Sequence, residues 1–199
     1  WYAGEQQGCT LADILLGKVN PSGKLNVSFP RSTGNTPCFY NHFVTDREES
    51  FDQPGTPEEP KGHYIFDKPE PLWNFGHGKS YTTFDYVDCA LSDTLLVASD
   101  TLKVSVTIKN TGRRDGKEVV QLYVRDKVST VATPIQQLKA FQKVLIKPGE
   151  SQCVELSLPI AELALYNAKM EEVVEPGDFE IQIGAASDDI RFKKTITIN

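Results

Sequence analysis

The chain has 199 residues, 39% of them hydrophobic and 24% charged, the ordinary make-up of a soluble globular protein of one to two domains. Its formal charge is −6, from 21 basic and 27 acidic side chains. That balance argues against nucleic acid or an anionic membrane surface as a partner, since both reward clustered Lys and Arg, and no apolar run approaches the roughly 18 residues that a membrane span needs.

Residues 1–30 read WYAGEQQGCTLADILLGKVNPSGKLNVSFP, beginning without a Met. Leu11, Ile14 and Leu15 recur at helical spacing, and Gly17 is placed to end that helix. Asn20-Pro21-Ser22-Gly23 is a turn cluster, and Lys24 to Phe29 alternates polar and apolar like a strand. One helix and one strand cannot bury their own apolar faces, so this stretch is expected to need a sheet from residues outside the chain.

The following stretch is dense in Pro and Gly and has little periodicity. It also carries Phe39, Tyr40, Phe43, Phe51, Tyr64, Phe66, Trp73, Phe75 and Tyr81, whereas disordered linkers are poor in aromatics. A connector pinned to a surface by its rings is the expectation. From Phe84 onward short strands follow one another. Val104, Val106 and Ile108 alternate with polar residues, as do Val120, Leu122 and Val124, then Val154, Leu156 and Leu158. Phe179, Ile181 and Ile183 come next, and Ile196 and Ile198 close the series. Each set has period two, so one face of each strand is buried. Asn110-Thr111-Gly112, Asp115-Gly116, Pro148-Gly149 and Pro176-Gly177 separate them as turns. About seven strands at this spacing predict a mainly β protein, a sandwich of immunoglobulin or fibronectin type III size, preceded by a partial α/β segment and a long aromatic-rich connector. The expected divisions are 1–36, 37–83 and 84–199.

The candidate chemistry is sparse. Gly76-His77-Gly78-Lys79-Ser80 resembles the end of a phosphate-binding loop, but Trp73 stands where the pattern needs its first Gly. The following Tyr81-Thr82-Thr83-Phe84 also favours a strand over the required helix. His42, His63 and His77 share the connector, yet none is spaced as a helical metal pair, and no carboxylate stands as an evident third ligand. Glu48-Glu49, Glu58-Glu59, Glu171-Glu172 and Asp188-Asp189 are sequence neighbours. A glycosidase needs two carboxyls about 5–10 Å apart across the scissile bond, so solvated charge is the expectation for all four pairs. Ser22 and Ser80 lack the context of a nucleophile elbow. Glu5, just before the first helix, suits a helix-start carboxylate better than a ligand site. Cys9, Cys38, Cys89 and Cys153 are scattered without metal or redox spacing. Their even number permits a disulfide, and Cys9 and Cys153 are expected as small buried hydrophobes. They do not fix the compartment.

Several motifs in order carry a resemblance. Trp1-Tyr2-Ala3-Gly4-Glu5-Gln6-Gln7-Gly8 is followed by Ala12-Asp13-Ile14-Leu15-Leu16-Gly17 and by Asn20 to Pro30. Phe39-Tyr40-Asn41 and the run from Pro71 to Phe84 continue it. In the strand region come Asn110-Thr111-Gly112, Asp115 to Val124, Pro134, Leu138, Phe141 and Pro148-Gly149-Glu150. Together they resemble the C-terminal part of glycoside hydrolase family 3, of the β-glucosidase and β-xylosidase type. The resemblance implies a TIM-like barrel with the nucleophilic Asp and an α/β sandwich with the acid/base Glu, both before Trp1. A fibronectin type III-like domain would close the chain. Residues 1–36 would then be the end of the α/β domain. No catalytic residue carries over, no cofactor or metal ligand is implied, and the substrate-binding residues stay unassigned. A β-linked glucoside or xyloside is the implied substrate of an intact enzyme, with a periplasmic or secreted location. Three positions depart from the family pattern: Gln7 replaces a Gly, Asn26 a Pro, and Lys79 the usual Leu before Ser80.

The expectation is therefore a structural fragment of a retaining β-glycosidase, inactive by itself. One rival is a free-standing carbohydrate- or protein-binding module, with Tyr123 as its only evident strand platform. Another is association with a separate chain over the apolar face at Leu11, Ile14 and Leu15.

Overall fold

The computed structural model describes residues 4–43, 56–58 and 70–199. Helix α1 spans Gln7–Leu15 and ends in a Schellman turn. Gly17 takes φ 69°, its N–H donates to the Ile14 carbonyl at 2.9 Å, and that of Lys18 donates to Asp13 at 2.8 Å. None of the helix side chains is buried, and Leu11, Leu15 and Leu16 stand exposed.

The expected strand over Lys24–Phe29 is only a fragment. Phe29 bridges Trp73, and Leu25 exchanges backbone bonds with Gly76 and His77, at 2.7 and 2.8 Å. A bend at Asn26-Val27 separates the two contacts, and the opposing stretch turns at Phe75-Gly76, so no continuous ladder forms. Tyr81 and Thr82 likewise bend before the first regular strand begins at Phe84.

The remainder is a β-sandwich. Its long strands are β1 (Phe84–Leu91), β3 (Thr101–Asn110), β4 (Gly116–Asp126), β5 (Gln137–Ile146), β6 (Ser151–Pro159), β9 (Gly177–Ala186) and β10 (Asp189–Ile198). Two-residue pieces are β2 (Leu95–Leu96), β7 (Leu165–Tyr166) and β8 (Glu172–Val173). A three-stranded sheet, β1-β3-β6, faces a five-stranded sheet, β2-β10-β9-β4-β5. β7 and β8 form a separate ribbon. Every pairing among the long strands is antiparallel, and only the short β2 runs parallel to β10. The alternating apolar sets meet between the sheets: Val104, Val106 and Ile108 from one side, Val120, Leu122, Ile181, Ile183 and Ile196 from the other. Interdigitation of two inner faces is how a sandwich buries a core, and it fixes register, because a one-residue slip would turn each set outward.

The same alternation corrects one expectation. Cys153 is exposed, because Val154, Leu156 and Leu158 take the inner face of β6 and leave Cys153 on the outer one. Cys9 is exposed on α1. Cys89 is the buried thiol, and all four cysteines are free.

Candidate functional site

Two constructions join residues 20–43 and 70–82 to the sandwich. The first lies on the outer face of β4. Tyr123 has the opposite parity to Leu122, yet it is fully buried rather than exposed. Tyr40 and Phe75 cover it, each edge-on to its ring, at 6.0 and 6.5 Å between centroids. Its hydroxyl donates to Gln121, and the Gln121 amide donates to Ala185 O at 2.6 Å and to Gly76 O at 3.4 Å. Phe75 O accepts the Ser187 N–H, so the pad is held by backbone as well as by rings. The exposed sugar platform expected of Tyr123 does not exist, because the connector occupies that face.

The second construction is a polar cleft at one end of the sandwich. It encloses about 370 Å³ between β1, the ends of β4, β9 and β10, and residues 24 and 77–82. Glu118 has the parity of the core residues Val120 and Leu122 and is nearly fully buried, at 6% exposure. Lys24 reaches it across the chain, Nζ to Oε1 3.2 Å, and also donates to Ala185 O at 3.0 Å. The Tyr86 hydroxyl donates to the same Oε1 at 3.2 Å. Above Tyr86 lies the Arg191 guanidinium, 5.6 Å from the ring centroid and paired with Asp189 through two N–H groups. Burial pushes the Glu118 carboxyl above its ordinary range, outweighing the attraction of Lys24 and the bonds from Lys24 and Tyr86. Burial, with the Glu118 charge next to it, also drives the Tyr86 phenol far above its usual value. The bond to Asp189 holds Arg191 firmly charged.

Asn20 locks the entry to this cleft. Its Oδ1 accepts Ser80 Oγ and the Tyr81 N–H, while its Nδ2 donates to Asp115 O at 2.9 Å. Nearby, Asn110 is fully buried and makes four side-chain bonds, to Thr82, Gly112, Arg114 and Ile146. The glycines here have structural reasons: a Cβ on Gly78 would strike Gly23 O, and one on Gly112 would strike Thr82.

The residues singled out in the sequence fall as follows. Gly76 to Ser80 has no helix after it, as a phosphate-binding loop would need, and its residues pack over the sandwich. His77 stacks on Trp73, and His42 points Nδ1 at Phe43 O, while His63 lies outside the described residues. Among the described residues, no group of three His, Cys, Asp or Glu is placed to hold a metal. Glu5 is exposed at the start of α1. Glu48, Glu49 and Glu59 lie outside the described residues, and Glu58 is exposed. Glu171 accepts from Asn167 in the loop between β7 and β8, next to Glu172. Ser22 is half-buried in its turn, and Ser80 serves Asn20. Of the earlier candidates, His77, Gly78, Lys79, Ser80, Asp188 and Asp189 line the cleft, Asp188 accepting from Asn74 at 2.8 Å. Glu118 and Gln121 were legible only as polar residues inside an apolar strand pattern, which is itself the signal for a buried polar contact.

Comparison with known proteins agrees with this architecture. Residues 118–187 match the fibronectin type III-like domain, and residues 1–81 match the glycosyl hydrolase family 3 C-terminal domain. A periplasmic β-glucosidase of Salmonella typhimurium is 40% identical over 190 residues, which is 94% of this chain and 24% of the relative. A β-xylosidase of Formosa agariphila is 41% identical, over 96% of this chain and 25% of its own length. The crystal structure of a Listeria innocua β-glucosidase in complex with glucose superposes with a TM-score of 0.85 at 38% identity. That match covers all of this chain and 27% of the Listeria chain. The sandwich is thus a fibronectin type III-like domain. The chain belongs to glycoside hydrolase family 3, in the C-terminal region of that family's β-glucosidase-like enzymes. It spans about a quarter of the length of the relatives it matches.

Proposed function

We propose that this chain is a bracing module of a retaining β-glucosidase or β-xylosidase, and that the catalytic carboxylates belong to other parts of the enzyme. The observation that carries this reading is the double attachment of residues 20–43 and 70–82 to the sandwich. The Tyr40-Phe75-Tyr123 pad and the Lys24-Glu118 pair fasten one family domain to the other. The acidic pair of the cleft, Asp188 and Asp189, is engaged by Asn74 and Arg191. The exposed apolar residues Leu11, Leu15, Leu16, Leu72 and Trp73 suit a surface that further protein covers. In the intact enzyme the substrate would be a β-linked glucoside or xyloside, and the divisions at 1–36, 37–83 and 84–199 would separate the end of the α/β domain, a connector and the sandwich. The rival reading as a free-standing binding module loses its strand platform with the burial of Tyr123.

The test is an assay of this chain on aryl β-glucosides and aryl β-xylosides. Hydrolysis indistinguishable from blank is expected. Turnover that scales with chain concentration and survives repurification would overturn the reading.

A further inference from the structure

The cleft at the end of the sandwich has more polar capacity than the protein uses. Both hydrogen bonds to Glu118 enter on Oε1, from Lys24 and Tyr86, and among the described residues none reaches Oε2. The Arg191 guanidinium spends Nε and Nη2 on Asp189, and its Nη1 donates to no described group. Lys79 lines the same space, is exposed, and has no described partner for its ammonium. A carboxylate oxygen with no protein donor is left to accept from whatever enters the cleft. The cleft volume of about 370 Å³ falls within the range of small-ligand sites, roughly 300–1,000 Å³.

The lining also selects a chemical class. Lys24, Lys79 and Arg191 are matched by Glu118, Asp188 and Asp189, so the formal charges cancel. An anion would meet the three carboxylates and a cation the three basic groups, and neither gains from the balance. A neutral molecule with several hydroxyls fits, because each hydroxyl both donates and accepts. A hydroxyl can donate to a carboxylate oxygen such as Glu118 Oε2 and accept from a cation such as Arg191 or Lys79. We propose that this cleft is a binding site for a neutral polyol of monosaccharide size, with Glu118 as principal acceptor and Lys79 and Arg191 as donors. Lys79 gains a role through it: the family's usual Leu at that position would offer no donor. The ligand class follows from the lining and not from the glycosidase reading, so a failure of one leaves the other standing.

The test is a titration of the full 199-residue chain with methyl β-D-glucopyranoside, and separately with sodium sulfate, followed by amide chemical shifts. Saturable shifts confined to residues 78–80, 118 and 184–191 are expected, with a dissociation constant on the order of millimolar. Lys79→Leu, a change at an exposed position, should weaken binding about tenfold while its spectrum stays folded, as expected for one hydrogen bond from a charged group. Glu118→Gln should weaken it further. No saturable shift up to about 100 mM would overturn the proposal at the affinity it requires. So would affinity unchanged in folded Lys79→Leu, or sulfate binding the same residues more tightly than the glycoside.

Discussion

The ring of Tyr40 lies parallel to that of Phe75, 4.1 Å between centroids and 16° between planes. The two residues come from opposite ends of the aromatic-rich stretch, and together they roof Tyr123 on the outer face of β4. An offset ring pair of this kind adds about 0.5–1.5 kcal/mol beyond the area it buries. Tyr123→Ala should therefore lower stability by about 3–5 kcal/mol, the range for large buried aromatics. Tyr123→Phe keeps the rings and loses only the bond to Gln121, so about 1 kcal/mol is expected. Urea unfolding of both variants checks the ratio. Equal losses would mean that the hydroxyl, and not the stack, holds the pad.

Gly76 tests the backbone side of the same pad. It has φ 82°, and a Cβ there would collide with the Gln121 side chain and press on Ala186 Cα. Gly76→Ala combines a left-handed backbone with a steric clash against the sheet, and about 2–4 kcal/mol of destabilisation is expected. Gly4→Ala is a fitting control, since Gly4 also has positive φ but meets nothing within 4 Å. Its loss in the same thermal melts should be about 1 kcal/mol.

Asn110 ends β3 as a polar hub with no solvent contact. Its Oδ1 accepts Thr82 Oγ1 at 2.6 Å and the Gly112 N–H at 3.0 Å. Its Nδ2 donates to Arg114 O and Ile146 O, both at 2.8 Å. Asn110→Leu leaves these partners unpaired in a dry site, at about 1–3 kcal/mol for each that water cannot reach. A total loss of about 3 kcal/mol or more is expected in chemical denaturation. A loss under about 1 kcal/mol would show that the turn finds other partners.

The pH dependence of the cleft follows from Glu118. Its carboxyl titrates above its ordinary value of 4.5, burial being the main cause. A carboxyl whose folded pKa is raised contributes stability that is full below the unfolded pKa and is lost as pH rises through the folded one. Glu118→Gln removes this titration while Lys24, Asp188, Asp189 and Arg191 remain. The stability of the native chain relative to Glu118→Gln should therefore shrink as pH rises above the ordinary carboxyl value of 4.5. Parallel melts of the two proteins across that range measure it. A difference that instead grew with pH would mean that the Lys24 pair outweighs burial.

Much of the fold was written in period-two alternation. Val104 to Ile108 and Val154 to Leu158 could be placed on inner faces because a half-buried strand shows its core side in every second residue. By the same rule the parity of Val154 puts Cys153 on the outer face. Residues 24–29 misled for a physical reason: polar and apolar alternation is necessary for a strand, but a ladder also needs an unbroken partner. The turn at Phe75-Gly76 denies it one.

The sequence by itself determined the sandwich, its turns and the family, since these rest on local periodicity and on motifs read in order. The tertiary structure alone decided what covers the second face of each strand. Tyr123 is buried because Tyr40 and Phe75 arrive over it, and Glu118 has a partner because Lys24 returns from 94 positions away. Alternation states that a strand has two faces. It carries no information about which distant segment will dock on the outer one, and the cleft and the pad both depend on that docking.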